Sequence, residues 1–140
     1  MSRRSPNTVR IIGGTCRGRV VRFPPAAALR PTPDRVRETL FNWLGQALAG
    51  RTTLEPYAGS GVLSLEALSR GASRAVAVDR DPKAVAAIAA HARRFGLDGI
   101  DARRADARAF LEQDAGRYDV VFLDPPFADD PWAWLLPLAA

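Results

Sequence analysis

The sharpest chemical signal in the sequence is Asp124-Pro125-Pro126-Phe127, which follows the apolar run Tyr118–Leu123. Two consecutive prolines fix the backbone just beyond a strand, so the Asp124 carboxylate and the Pro125 carbonyl become rigid acceptors with no competing donor. A planar exocyclic amine on a nucleobase presents two N–H donors to such a pair. Accepting both holds the nitrogen in place and helps release its lone pair toward an electrophile. Phe127 adds a face on which an extruded base can stack. The same four residues could instead form a turn that ends a strand, with Phe127 in the core.

Four further groups have the right spacing to act with that turn. Ala58-Gly59-Ser60-Gly61 is a small-residue turn that lets backbone approach a ligand, ahead of a helix whose N–H groups point at it. Asp79 lies eighteen residues beyond Gly61, near the spacing at which an acid accepts from the two hydroxyls of a ribose. Glu55 precedes the turn, and Asp106 precedes the apolar positions of a later helix. A nicotinamide dinucleotide site would want Gly or Ala where Ser64 stands, and it leaves Asp124–Phe127 without a role.

These residues need elements to position them, and the pattern supplies β–α alternation. Thr53–Glu55, Ala75–Val78, Ile100–Arg104 and Tyr118–Leu123 read as strands. Helices are predicted from Val62 to about Gly71, from an Asp81-Pro82 start to about Gly96, and from Asp106 through Leu111. Asp130-Pro131 would begin a last helix. Strands alternating with helices imply a parallel, doubly wound α/β sheet, whose ligands bind outside the strands' carboxyl ends. Glu55, Asp79, Asp106 and Asp124 would then share one edge.

Ahead of the sheet, Val9–Phe23 reads as a hairpin around glycines. A helix follows from the Thr32-Pro33-Asp34 start, with Val36, Leu40, Trp43 and Leu44 as its buried stripe. Trp43 is expected in the core, Trp132 and Trp134 in core or lid packing. His91 is expected on a solvated helix face, and Cys16 lacks a neighbour that would make it a nucleophile.

The chain has 140 residues, enough for one domain with a core, and a formal charge of +5. Residues 1–35 carry eight arginines against Asp34 alone, or +7, leaving −2 for the other 105. Such an asymmetry fits a polyanion-binding arm on a near-neutral body. Arg10, Arg17, Arg19, Arg22, Arg30 and Arg35 are its candidate phosphate contacts. One cysteine and one histidine exclude a disulfide and a structural zinc site, so no metal is expected. With no long apolar run and no signal-like start, a cytoplasmic protein without a membrane partner is the expectation.

The ordered motifs Ala58–Gly61, Asp79, Asp106 and Asp124–Phe127 resemble those of class I S-adenosylmethionine-dependent methyltransferases that modify exocyclic amines. The segment Arg30–Trp43, with Arg10–Gly14, Arg17–Arg19 and Leu65–Gly71, narrows the resemblance to the RsmD-type 16S ribosomal RNA guanine-N2 methyltransferases. It runs from about Val9 to Phe127. By position it implies that Glu55, Ala58, Gly59, Ser60 and Gly61 line the methionine end of S-adenosyl-L-methionine. It implies that Asp79 binds the ribose, that Asp106 lies beside the adenine, and that Asp124, Pro125 and Phe127 hold the guanine. The chain has Glu55-Pro56-Tyr57 where the family usually has Asp-Leu-Phe. The implied partner is 16S rRNA or the assembling small ribosomal subunit.

The implied architecture is a Rossmann-like sheet with strands 1–4 present and the C-terminal strands missing, preceded by a basic hairpin and helix. Residues 1–31 would form the RNA-binding arm and 32–140 an incomplete methyltransferase domain. An open edge at the fourth strand would favour self-association and leave little or no activity. The rival readings are an amino methyltransferase acting on adenine N6 in DNA or RNA, a truncated cofactor- or RNA-binding protein without turnover, and a nicotinamide-dependent oxidoreductase.

Overall fold

The computed structural model describes residues 8–22, 34–114 and 116–123. It opens with an antiparallel hairpin of β1 (Thr8–Arg10) and β2 (Val20–Arg22), in register Val9↔Val21. Strand alternation sends Val9 and Val21 inward and leaves Arg10, Val20 and Arg22 exposed. Gly14 turns the connection with φ +79, and a Cβ there would lie 1.9 Å from the Ser69 carbonyl oxygen. Only glycine lets the hairpin come this close to the helix beneath it.

Helix α1 (Asp34–Leu44) is rotated relative to the predicted stripe: its buried residues are Arg37 and Phe41. Trp43, expected in the core, is 82% exposed, and Val36 is 52% exposed. The helix turns this way because Arg37 has buried partners. Its guanidinium pairs with Asp34 and with the Glu66 carboxylate at 3.1 Å, and donates to the Arg10 carbonyl at 2.8 Å. Phe41, one turn on, packs with Phe122 at 5.7 Å between ring centroids. The helix-start residues Thr32 and Pro33 lie outside the described residues. A 3-10 turn, Gly45–Leu48, leads into the sheet.

Four parallel strands form that sheet in the spatial order β5-β4-β3-β6: β3 (Thr52–Glu55), β4 (Arg74–Asp79), β5 (Ile100–Arg104) and β6 (Val120–Val121). The strand expected over Tyr118–Leu123 is regular over two residues only. Its ladder extends further through Asp119 N–H to the Thr52 carbonyl and Phe122 N–H to the Leu54 carbonyl. Alternation along β4 divides the core. Ala75 joins the hairpin's Val9, Ile11 and Val21 with Leu65 and Leu68; Val76 and Val78 join Leu54 and Leu111.

The helices α2 (Val62–Ser69), α3 (Pro82–Phe95) and α4 (Ala107–Gln113) connect the strands. Every residue of α2 is buried, because sheet, hairpin, α1 and α3 surround it. The caps follow the sequence. Asp81 accepts from Lys83 N–H at 2.9 Å with Pro82 at the first helical position, Gly96 ends α3 at φ 72, and Asp106 accepts from Ala109 N–H at 3.1 Å. Each α/β connection brings the carboxyl ends of β3, β4 and β5 to one edge. Among the described residues, no helix is long and apolar enough to cross a membrane.

Candidate functional site

Asp79, at the end of the central β4, joins three segments of the strand-end edge. Its Oδ2 accepts from Gly59 N–H at 2.9 Å and its Oδ1 from Asp81 N–H at 2.9 Å. Its backbone carbonyl accepts from Ala105 N–H at 3.0 Å, just beyond β5. The carboxylate therefore ties the turn after β3 to the start of α3. Two oxygens offer about four lone-pair positions. Two are used, and Asp79 is only half-buried, so capacity remains for two hydroxyl donors from outside.

The turn itself is fixed by its own hydrogen bonds. Ala58 N–H donates to the Val78 carbonyl at 2.9 Å and Gly61 N–H to the Ala58 carbonyl at 2.8 Å. Gly59 and Gly61 have φ of 56 and 74, a region that side chains disfavour. Gly61 has a further reason to be glycine: a Cβ there would lie 2.5 Å from Ile88 Cγ1 of α3. Close helix packing, and not ligand approach alone, requires it. Ser60 is buried, and its Oγ accepts from Val62 N–H at 3.3 Å.

Glu55 is 3% exposed at the end of β3, under the same turn. Its Oε1 accepts from Ser64 N–H at 3.1 Å and from Ser64 Oγ at 2.7 Å. A carboxylate at the N-terminus of α2 is also favoured by the helix dipole. Ser64, where a dinucleotide fingerprint would have Gly or Ala, thus serves to hold Glu55. Asp106 is exposed beyond β5 and caps α4. Glu55, Ala58–Gly61, Asp79 and Asp106 lie along one edge, as the strand ends require. Asp124, Pro125 and Phe127 lie outside the described residues, as do Arg30, Trp132 and Trp134.

The candidate phosphate contacts Arg10, Arg17, Arg19, Arg22 and Arg35 are all exposed, and none has an ion-pair partner among the described residues. Four other exposed arginines are neutralised, Arg51 by Asp119, Arg74 and Arg103 by Asp101, and Arg108 by Glu112, whereas Arg80, Arg93, Arg94, Arg104 and Arg117 have no ion-pair partner among the described residues. The Asp101 carboxyl is held below the usual carboxylate range, chiefly by its hydrogen bond from Arg103. Among the described residues, no group of three His, Cys, Asp or Glu side chains could hold a metal ion.

Sequence reasoning missed how the hairpin is held. Glu66 is fully buried and accepts from four donors: Ile12 N–H and Gly13 N–H at 2.8 Å, Arg37 Nη1 at 3.1 Å and Arg70 Nε at 2.8 Å. Ser69 Oγ donates to the Gly13 carbonyl at 2.6 Å and accepts from Cys16 N–H at 2.8 Å. His91, expected in solvent, is 8% exposed. Its Nε2 lies 2.5 Å from the Arg22 carbonyl and its Nδ1 3.0 Å from Arg94 Nη2. Its partner on β2 is 69 residues away, so no local pattern could reveal it. Burial, with the Arg94 charge, holds its pKa below the ordinary histidine value, against the opposing effect of the Arg22 backbone contact.

The family described as "Conserved hypothetical protein 95" matches residues 9–137. The chain belongs to that family. It is 41% identical over 119 residues to "Ribosomal RNA small subunit methyltransferase D" of Escherichia coli (strain K12), covering 85% of this chain and 60% of that protein. A Buchnera aphidicola (subsp. Acyrthosiphon pisum) protein of the same name is 31% identical over 89% of this chain and 65% of its own length. Among solved structures, Escherichia coli yhhF superposes with a TM-score of 0.85 at 36% identity, over 94% of this chain and 71% of that one. A hypothetical protein of Thermus thermophilus gives 0.80 at 37% identity, over 93% and 78%. The fold is therefore the Rossmann-like α/β sheet of this family, and the chain spans about three fifths of the length of the first of these relatives.

Proposed function

We propose that the chain carries the cofactor edge and the amine-binding turn of an S-adenosyl-L-methionine-dependent methyltransferase acting on guanine N2 of small-subunit ribosomal RNA. The observation that carries this reading is the joint at Asp79. An acid at the end of the second sheet strand is braced by Gly59 and Asp81 and still has lone pairs for two ribose hydroxyls. The chemistry of the residues supports the cofactor: Glu55, an acceptor beneath the glycine turn, would face the methionine end, and Asp106, exposed beyond β5, would lie beside the adenine.

The cofactor, when bound, supplies a methyl group already activated on a sulfonium. The protein's task is then positioning. Asp124 and the Pro125 carbonyl would accept the two N–H groups of the guanine amine and orient its nitrogen, with Phe127 stacking on the base. Residues 1–31 would serve as the RNA-binding arm and 32–140 as the methyltransferase unit, working in the cytoplasm where small subunits assemble. The relatives named as ribosomal RNA methyltransferases support the substrate class.

Calorimetry and a transfer assay test the reading together. S-adenosylmethionine and its demethylated product should bind, and NAD should not. In a version that also carries the C-terminal strands, Asp124→Ala should lower methyl transfer by about 2.7–4 kcal/mol of transition-state stabilisation, as for loss of one positioned hydrogen-bonding group, while cofactor affinity stays near its starting value. NAD binding without S-adenosylmethionine binding refutes the cofactor assignment. Transfer to adenine N6 of DNA in preference to ribosomal RNA refutes the substrate.

A further inference from the structure

Four of the hairpin's arginines were singled out for RNA, yet the hairpin does not end at its own strands. It lies against the last turn of α3, where Arg93 and Arg94 are both exposed and have no carboxylate partner among the described residues. Arg94 Nη2 reaches the Val20 carbonyl of β2 at 3.4 Å and His91 Nδ1 at 3.0 Å. Arg19 of the hairpin and Arg94 of the helix both lie over the Phe95 ring, their guanidinium carbons 5.7 and 5.1 Å from its centroid. One half-buried phenyl ring thus holds two guanidinium groups that would otherwise repel, each with N–H donors left over.

We propose that the RNA-binding surface crosses from the hairpin onto the C-terminal turn of α3, with Arg93 and Arg94 contacting phosphates of the strand that Arg17, Arg19 and Arg22 grip. The proposal rests on the reading that RNA is the substrate. Phosphate is the ligand these groups suit: planar guanidinium forks without an acidic partner among the described residues, two of them, Arg19 and Arg94, held over one ring. The surface also has a defined place. α3 starts at Pro82, beside Asp79, and its 14 residues carry it roughly 20 Å to Phe95. The contact lies at the far end of the domain from the cofactor edge and serves to hold RNA, not to touch the reacting amine.

Basic residues in a last helical turn also favour the helix dipole. That role alone predicts a change in stability and none in RNA affinity. The test measures binding of in vitro transcribed small-subunit ribosomal RNA over a range of salt concentrations. The double variant Arg93→Gln/Arg94→Gln should weaken binding and reduce the log–log salt slope by about 1.4–1.8, the value for two phosphate contacts. Arg93→Gln alone, at a side chain with no hydrogen bond or ion pair among the described residues, should give about half that reduction, and a thermal melt of each variant checks folding. Arg108→Gln on α4 removes the same charge from a paired arginine and should leave the slope unchanged. An unchanged slope in both α3 variants, with wild-type binding still salt-dependent, overturns the extension while the RNA reading stands. Wild-type protein that shows no salt-dependent RNA binding overturns both.

Discussion

Glu66 and Arg37 are two charges with no exposed surface, and their worth differs from that of any pair on the outside. Four donors converge on the Glu66 carboxylate, two of them backbone N–H groups with no other partner in the hairpin. Glu66→Ala should therefore cost about 3–5 kcal/mol, the range for breaking a buried pair and leaving the other charge behind. Glu112→Ala, at an exposed i,i+4 pair with Arg108, should cost under about 1 kcal/mol. Urea unfolding of the two variants compares them, and equal midpoint shifts would show that the buried network contributes nothing special. Gly61 makes a second case. Gly61→Ala should destabilise by about 1–3 kcal/mol through overpacking against Ile88, beyond the strain of a positive φ. Combined with Ile88→Ala, its effect should be less than additive, because the clash is with that side chain; strict additivity of the two changes contradicts this. The residues that could be read from the sequence were those whose reasons are local. Asp81 and Asp106 cap helices that start beside them, and Asp79 reaches a turn predicted from its glycines. Glu66 and His91 were not legible, because the hairpin backbone groups they bind lie more than fifty residues away in the chain.

Elements were legible where one periodicity governed them. The strands β3, β4 and β5 and the helix α3 fall within a residue or two of their expected ends, since apolar runs, caps and glycines agree there. Helix α1 was misread because a charged residue occupies its buried face. Hydropathy assigns Arg37 to solvent, and that error turns Trp43 inward. The Asp34 carboxylate one turn back, with the Glu66 carboxylate and the Arg10 carbonyl brought there by the fold, makes the true orientation stable. The seam between hairpin and α3 has its own measurable consequence. His91 is the chain's only histidine, and its folded pKa is depressed mainly by burial and further by Arg94. Between its folded value and about 6.5, the value for an unfolded chain, the unfolded state binds the proton more readily. The stability associated with neutral His91 is then present above about pH 6.5 and is lost progressively as pH falls below it. Melting temperature should fall from pH 7 toward 5.5 in the wild type, and His91→Gln should flatten that limb. An identical slope in the variant would falsify the assignment to His91.

At the scale of the molecule, the two proposed sites lie at opposite ends of the same helices. The first 35 residues carry +7 and the rest −2, and the hairpin is docked on the C-terminal halves of α2 and α3, away from the strand ends. Helix α2 is the rigid link. Ser64 near its start holds Glu55, while Glu66 and Ser69 near its end hold Ile12–Cys16. A buried helix with partners at both ends has no room to shift without breaking hydrogen bonds that water cannot replace. The two sites should consequently report their ligands separately. In amide chemical-shift titrations, S-adenosylmethionine should move Gly59, Ser64 and Asp81 and leave Arg17, Arg19 and Arg94 near their starting positions. Small-subunit ribosomal RNA should do the reverse at the hairpin and the end of α3, and NAD should move neither set. If the cofactor shifts the hairpin amides as far as those of the glycine turn, α2 transmits a conformational change, and the picture of a rigid link between independent sites is wrong.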